Sequence, residues 1–304
     1  MQSPQPFSRR SALQFAVASS ALATSSLFAN LAVAEEKSKV TSPILKTLKF
    51  GMVKVKGSLE DKFRAVKAAG FDGIELIAPK IDIDETLAAI AKTGLPVDGT
   101  VCRTHWKIRH SSPDAAVRAQ ALQDLKDGIE QTAAVGGNTI LLVVGHGDDG
   151  PESDIIPRSI ENISKALPLA ARHGVYIAIE NVWNHFLYDH EGPMDQTADR
   201  FVQYVDAFNS PWVGMQFDIG NHWQYGDPAA WIRTLGKRVV KLDTKGYSRA
   251  MKKFTAITQG DIDWPSVAQA LRDIGFHGWC AAEVSGGDEA ALRVIAEEMQ
   301  QTLA

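Results

Sequence analysis

The 304-residue chain has few cysteines and little net charge, and each shortage excludes a class of protein. Two cysteines cannot form the disulfide framework of a small secreted scaffold. A formal net charge of −4 lacks the basic excess of a nucleic-acid-binding surface. Hydrophobic residues at 45% and charged residues at 22% are ordinary globular values, which excludes disorder for most of the chain. The length allows one large α/β domain or two ordinary ones.

Carboxylates are missing from residues 1–34, where Arg9 and Arg10 are the only charged side chains. A moderately apolar run follows the arginine pair and ends in Ala32-Val33-Ala34, a small-x-small cleavage pattern. This order predicts a cleaved twin-arginine export signal over residues 1–34, and therefore a periplasmic or otherwise exported protein. The alternative is an uncleaved membrane anchor, but polar residues dilute the run too much for a good spanning helix. After cleavage we expect no stable membrane span.

Removing the signal leaves 270 residues, and losing its two arginines moves the net charge from −4 to −6. Residues 35–46 have the polar composition of a linker, so we expect the folded domain to occupy residues 47–304.

Short β-branched runs alternate with helically spaced segments through this domain. The runs are apolar with little polar alternation, which is typical of parallel strands buried on both faces. The predicted strands are Lys49–Val53, Gly73–Ile77, Val97–Cys102, Thr139–Val144, Val175–Glu180, Val213–Phe217, Val239–Leu242 and Gly278–Glu283. The predicted helices are Ser58–Ala69, Asp84–Lys92, Asp114–Val135, Pro157–His173, Thr197–Phe208, Pro228–Leu235, Trp264–Ile274 and Asp288–Leu303.

Eight β-α units in this length match a single-domain (β/α)8 TIM barrel, which typically has about 250 residues. The alternative, a doubly wound open sheet that binds a dinucleotide, would place a G-x-G-x-x-G turn after the first strand. Residues 51–57, GMVKVKG, lack that pattern. The sequence therefore favours the barrel.

Each of the last four predicted strands closes with a carboxylate: Glu180, Asp218, Asp243 and Glu283, spaced by 38, 25 and 40 residues. Because active sites of TIM barrels lie at the carboxyl ends of the strands, we expect these groups to converge. Converging negative charge is costly unless a cation compensates it. An all-oxygen donor set predicts a divalent metal site for Mg²⁺ or Mn²⁺ rather than Zn²⁺. For any one carboxylate taken alone, capping a helix or pairing with Lys or Arg is at least as favoured as metal ligation, and for Glu75 a role outside the ligand set is favoured.

The stretch from Phe50 to the C-terminus resembles the xylose-isomerase-like TIM barrels, the sugar phosphate isomerase/epimerase superfamily. The motifs that carry the resemblance are Gly73-Ile74-Glu75-Leu76, Ile179-Glu180-Asn181, Phe217-Asp218-Ile219-Gly220-Asn221, Lys241-Leu242-Asp243-Thr244-Lys245, Gly260-Asp261-Ile262-Asp263-Trp264 and Ala282-Glu283-Val284. The resemblance implies that Glu180, Asp218 and Glu283 are metal ligands. The fourth position, a histidine in the commoner pattern, falls on Asp243. The implied cofactor is a divalent ion, with Mn or Mg first and Co or Zn also open.

The resemblance further implies that Glu180 and Glu283 are the catalytic pair that removes and returns a proton beside a carbonyl through an enediolate. No phosphate-binding glycine cluster is evident, so we expect a non-phosphorylated keto-sugar or keto-glycoside as substrate. Two other functions stay open. A dehydratase or lyase acting on an oxidised sugar or inositol would share the enediolate, and a non-catalytic sugar-binding barrel would agree with the departure at Asp243.

Seven residues are candidates for substrate contact. Three of them follow predicted strands, and one is an aromatic residue near the same rim. The other three rest on the resemblance, which places an Arg six residues after Asp243 and a His where Asn221 stands. They are His105, Lys107, His146, Trp183, Asn221, His222 and Arg249. Cys102 and Cys280 are expected to be free, buried thiols. We expect a small carbohydrate as partner and no nucleic acid, and the sequence leaves homo-oligomerisation open.

Overall fold

Eight parallel strands form a barrel in the computed structural model, which describes residues 44–303. The predicted export signal and residues 35–43 of the predicted linker lie outside these described residues. The strands are β1 (Leu45–Leu48), β2 (Ile74–Ala78), β3 (Val97–Cys102), β4 (Thr139–Leu142), β5 (Tyr176–Glu180), β6 (Val213–Asp218), β7 (Val239–Thr244), β8 (Gly246–Ser248), β9 (Lys253–Thr255) and β10 (Trp279–Ala282). Of these, β8 and β9 form a separate antiparallel hairpin, and the others make the barrel.

The barrel strands follow one another in chain order around the sheet, and β10 lies between β7 and β1. The sheet closes where the carbonyl of Lys46 accepts hydrogen bonds from the backbone N–H groups of Asp72 and Gly73, and where Lys49 forms a parallel bridge with Glu75. The predicted (β/α)8 fold is therefore confirmed.

Helices cover the outside of the barrel. They are α1 (Leu59–Ala68), α2 (Ile83–Thr93), α3 (Ala115–Ala134), α4 (Glu152–Ser164), α5 (Leu167–His173), α6 (Asp199–Asp206), α7 (Ile219–Trp223), α8 (Pro228–Leu235), α9 (Trp264–Asp273) and α10 (Glu289–Leu303). Each main helix buries one apolar face against the strands, as α1 does with Phe63 and Val66 after a capping box at Ser58. Among the described residues, no helix combines the length and apolarity needed to cross a bilayer.

The first strand was predicted four residues too late. The apolar residues Phe50–Met52 form a 3₁₀ turn, whereas the less apolar Leu45–Leu48 enters the sheet, with Thr47 fully buried and bonded to Asp98. The strand thus overlaps the end of the predicted linker. As a consequence, Lys49 lies at the carboxyl end of β1, on the same rim as the strand-end carboxylates.

The predicted helix Pro157–His173 is two helices in the structure. Helix α4 begins five residues earlier, at Glu152, and ends at Ser164, and α5 begins at Leu167. Pro168 explains the break, because a proline lacks the N–H of a continuous helix and its ring would clash with the carbonyl four residues before. Cys102 and Cys280 are free and buried, as predicted.

Candidate active site

The four strand-end carboxylates meet at the mouth of the barrel. Glu180 and Asp218 end β5 and β6, Asp243 lies near the end of β7, and Glu283 directly follows β10. One oxygen from each lies within 4.8 Å of the others. The common polarity of parallel strands brings them together, as the sequence pattern predicted.

Two lysines lie against this cluster. Lys245 Nζ is 2.8 Å from both Asp218 Oδ2 and Glu283 Oε2, and Lys49 Nζ is 2.8 Å from Asp243 Oδ2. Asp218 also caps α7, because its Oδ1 accepts the backbone N–H of Asn221. The capping and pairing alternative is therefore observed for three of the four carboxylates. Glu180 differs, since its buried carboxylate makes no hydrogen bond or ion pair with any described residue.

A second charged layer lies deeper in the barrel. Lys241 Nζ is fully buried and pairs with Glu75 Oε1 at 2.6 Å and with Asp98. Gln216 donates one hydrogen bond to Glu75 and another, 2.9 Å long, to Asp243, which links this layer to the cluster above. Glu75 is thus part of a buried ion-pair layer outside the set of four carboxylates.

The described interior has a formal excess of negative charge. The two layers hold six carboxylates and three lysine ammonium groups, which leaves −3 when all are ionised. Burial raises the pKa of Glu180 well above its ordinary value, and it raises the pKa of Asp218 to about 6 and of Asp243 to about 7. Burial alone would also raise the pKa of Glu283, but the Lys49 and Lys245 ammonium groups overcome it and hold that pKa at about 2.

These residues fit a hard divalent cation. All four donors are carboxylate oxygens, which Mg²⁺ and Mn²⁺ prefer, and a doubly charged ion would offset most of the excess negative charge. Asp218 Oδ2 is buried without a geometrically acceptable hydrogen bond, although Lys245 lies within ion-pair distance. An ion held by all four groups would compete with Lys245 for Asp218 and Glu283.

A cavity of about 270 Å³ opens directly onto the cluster. Its lining combines two of the carboxylates and both lysines with aromatic, apolar and polar groups. The lining residues are Lys49, Val101, His105, Trp106, Leu141, Glu180, Val182, Trp183, Asn221, Lys245, Phe254 and Glu283. Three of the seven predicted substrate-contact residues, His105, Trp183 and Asn221, therefore lie at this cavity.

His105 is held as a neutral donor in the cavity wall. Burial lowers its pKa to about 3, and its Nδ1 accepts the backbone N–H of Val143 at 3.0 Å. In neutral imidazole the other nitrogen then carries the proton. Asn221 is committed to the scaffold, because its amide donates to the Asn181 carbonyl and its own carbonyl accepts from Trp183 Nε1.

The other four predicted contact residues do not line the cavity. His222 is buried behind it, where its ring packs 3.7 Å from Trp231 and its Nδ1 bonds Tyr188. It lies beside Asn221 on α7, and neighbouring helical residues point in different directions. Arg249 stacks on Trp223 at 3.7 Å. Lys107 is exposed, and His146 Nδ1 caps a 3₁₀ turn.

Sequence reasoning missed the two lysines and the hairpin that carries Phe254. A signal for Lys245 was present, because Lys241, Asp243 and Lys245 alternate along β7 and past its end, and alternate residues share one face of a strand. The misplaced first strand hid Lys49. The hairpin β8–β9 has three-residue strands, too short for a recognisable pattern.

The fold and the strand-end site together define a TIM barrel with an acidic, cation-suited mouth. The family description that matches the chain is "Xylose isomerase-like TIM barrel", over residues 63–302. The protein belongs to this family.

The proteins similar to this chain include sugar epimerases and the IolI protein. L-ribulose-5-phosphate 3-epimerase UlaE of Salmonella paratyphi A is 24% identical over 235 residues, covering 72% of this chain and 79% of its own. L-ribulose 3-epimerase superposes with a TM-score of 0.70 at 21% identity, covering 86% of this chain and 94% of its own.

Two further solved structures have the same fold. The 3-keto-D-glucoside 4-epimerase YcjR of E. coli has a TM-score of 0.69 at 18% identity, covering 85% of this chain and 98% of its own. The IolI protein with a bound zinc atom has a TM-score of 0.69 at 14% identity, with coverage of 86% and 98%. Likeness at this level of identity establishes the fold.

Proposed function

We propose that this protein is a sugar isomerase or epimerase that moves a proton on a carbon beside a carbonyl group. The observation that carries the proposal is that two carboxyl groups from different strands, Glu180 and Glu283, face one cavity beside two lysines. Two carboxyl groups that reach the same space can serve as the base that removes a proton from a carbon and the acid that returns it. The names of the similar proteins support the same reaction class.

In the proposed reaction, ionised Glu283 removes the proton from the carbon beside the carbonyl. The electron pair moves onto the carbonyl oxygen to give an enediolate, and the carboxyl group of Glu180, in the wall of the same cavity, returns a proton to the carbon. Return to the opposite face gives an epimer, and return to the neighbouring carbon gives an isomer. The cavity wall contains Lys49, Lys245 and His105. Their ammonium and N–H groups would stabilise the negative charge that develops on the enediolate oxygen.

We propose that Glu180, Asp218, Asp243 and Glu283 hold a divalent metal ion, with Mg²⁺ or Mn²⁺ first and Co²⁺ or Zn²⁺ as alternatives. A bound ion would supply Lewis-acid polarisation of the carbonyl oxygen. The donor set and the excess negative charge support this assignment, as does the zinc in the similar IolI structure.

The proposed substrate is a non-phosphorylated keto-sugar or keto-glycoside. Both lysines of the cavity are already paired with carboxylates, which leaves little positive charge to attract a phosphate. Because the similar UlaE is named for a phosphorylated sugar, the substrate test must include both forms.

The deciding experiment combines metal analysis with proton exchange. The purified protein is incubated in D₂O with keto-sugars and keto-glycosides, each with and without phosphate, before and after chelation. We expect a bound or titratable divalent ion, and deuterium at the carbon beside the carbonyl of an unphosphorylated substrate only. Binding without exchange would instead indicate a non-catalytic sugar-binding barrel, and an eliminated water would indicate a lyase.

Glu283→Gln tests the proposed base. The amide keeps the size of the side chain but cannot accept the proton, so we expect exchange to slow by roughly 10²–10⁴-fold. Glu289→Gln, at an exposed position in the first turn of α10, is the matched control and should keep full exchange. Exchange at the control rate in a folded Glu283→Gln protein, verified by circular dichroism, would remove Glu283 from the mechanism.

A further inference from the structure

A second, larger cavity of about 700 Å³ adjoins the central one. It lies among the hairpin β8–β9, the segment that follows β10, and α10. Its lining residues are Lys245, Phe254, Thr255, Ala256, Gln259, Glu283, Val284, Ser285, Gly286, Ala291, Val294, Ile295 and Glu298. Lys245, Phe254 and Glu283 line both cavities, so a molecule in contact with the proposed base can extend from one into the other.

Phe254 forms the border between the two cavities. Its ring stacks on Trp183 at 5.0 Å between centroids, with the planes 23° apart, and Lys245 Nζ lies 4.9 Å from its centre. Nevertheless 46% of Phe254 remains exposed. An aromatic surface that is fixed in place and still open to a ligand is typical of a binding-site wall.

The lining of the side cavity is amphipathic. Val284, Ala291 and Val294 supply apolar surface, and Val294 is 54% exposed. The side chains of Gln259 and Ser285 make no hydrogen bond with any described residue, which leaves their donors and acceptors open to a ligand. A sugar ring has the matching character, with apolar C–H faces and hydroxyl groups at its edge.

The charge of the lining and the size of the two cavities further restrict the class of ligand that fits. Glu283 and Glu298 lie in the lining, and its lysine is already shared between two carboxylates, so a neutral group is favoured over an anion. The central cavity of about 270 Å³ is below the size range of roughly 300–1,000 Å³ common for larger ligands, whereas the two cavities together fall near its top. A single sugar ring at the carboxylates would leave the larger cavity unfilled.

We propose that the side cavity is a subsite for the second, neutral ring of a keto-glycoside, so that the substrate of this protein is a keto-disaccharide. The reacting ring lies against Glu180 and Glu283, and the attached ring passes Phe254 and contacts Val294 and Gln259. This assignment rests on the proposed function, because the side cavity would bind the second ring of the same proposed substrate.

The test compares two ligands that share the reacting ring. One is a disaccharide of two hexoses with a ketone at C3 of one ring, and the other is the methyl glycoside of that oxidised ring alone. Dissociation constants are measured by titration calorimetry, and deuterium exchange is followed separately. We expect the wild-type protein to bind the two-ring ligand roughly tenfold more tightly or better.

Val294→Trp fills the side cavity and should reduce the preference for the two-ring ligand to near unity. As a second variant, Phe254→Ala removes the aromatic ring between the cavities and should weaken the same preference. Leu87→Trp is the control, because Leu87 is also exposed on a helix but lies on α2, outside both cavities, and it should keep the preference. Circular dichroism checks that each variant is folded.

Equal affinity of the wild-type protein for both ligands would overturn the subsite, as would an undiminished preference in both folded variants. A concentration-dependent dimer that Val294→Trp abolishes, without any sugar preference, would assign the surface to a second copy of the chain and also overturn it. Two-ring preference without deuterium exchange would refute the proposed reaction while the subsite stands, so the two failures are distinguishable.

Discussion

Lys245 and the carboxylates around it set the charge of the barrel mouth. Its ammonium group lies between Asp218 and Glu283, and these carboxylates overcome the effect of burial and raise its pKa. The sequence identified all four carboxylates because each ends an apolar strand. It could not identify their partners, because an ion pair between Lys245 and Glu283 depends on how far a long side chain reaches across neighbouring strands.

Replacing Lys245 by Met should tighten the binding of divalent ions. The substitution removes a positive charge 2.8 Å from two of the proposed ligands, so an ion no longer competes with it. We expect the dissociation constant for Mn²⁺ to fall by roughly tenfold or more in calorimetry. Lys237→Met, an exposed lysine before β7, should leave it unchanged. Equal or weaker Mn²⁺ binding by Lys245→Met would contradict a shared cation position.

The short elements that follow β6 and β7 determine the shape of the site. Helix α7 directs Asn221 to the cavity and His222 away from it, and the hairpin β8–β9 brings Phe254 to its border. Asp261 holds this region together, because it accepts hydrogen bonds from Trp223 Nε1, Ser248 Oγ and the backbone N–H of Arg249. Burial alone would raise the pKa of Asp261, but these donors outweigh it and lower the pKa to about 2.

Asp261→Ala should loosen the hairpin without unfolding the barrel. Trypsin cuts after Lys252 and Lys253, which are exposed at the hairpin turn. With several hydrogen bonds to a charged acceptor lost, we expect cleavage there to become roughly tenfold faster. Asp263→Ala is a close control, because Asp263 caps α9 instead. If both variants are cut at the wild-type rate, Asp261 does not anchor the hairpin.

The excess of buried carboxylates determines how the stability of the folded protein depends on pH. Asp218 and Asp243 have pKa values of about 6 and about 7 in the folded chain, against roughly 4 for an unfolded aspartate. A raised pKa means that the folded state binds more protons than the unfolded state over this range. Their contribution to stability is therefore fully present below about pH 4 and is lost as the pH rises through 6 and 7.

Divalent ions should reverse this pH dependence. They bind the ionised carboxylates and must displace the protons, so their affinity rises with pH. We expect the increase in Tm caused by Mn²⁺ to be small at pH 5 and to grow up to pH 8, in thermal scans at constant ionic strength. The same increase at every pH would show that the ion does not bind these carboxylates.

Export concerns residues outside the described part of the chain, and it remains our proposal from the sequence. Conservative replacement of Arg9 and Arg10 by Lys keeps the charge but should prevent recognition by the twin-arginine route. We expect the full-length variant to accumulate unprocessed in the cytoplasm, while the unmodified chain is recovered in the periplasm without its first 34 residues. Equal periplasmic recovery of both proteins would contradict this route.

The barrel and the four carboxylates of its mouth could be predicted from sequence patterns alone. Hydrophobic periodicity is local, and the shared polarity of parallel strands converts strand ends into neighbours without further information. The partners of these carboxylates and the shape of the cavities depend on how distant segments pack. The start of β1, and with it the position of Lys49, depends on which residues pair with β10. The roles of His222 and Asn221 depend on the direction that α7 takes, and the side cavity exists because the hairpin and α10 leave a space between them. These are contacts between distant segments, and no local pattern encodes them.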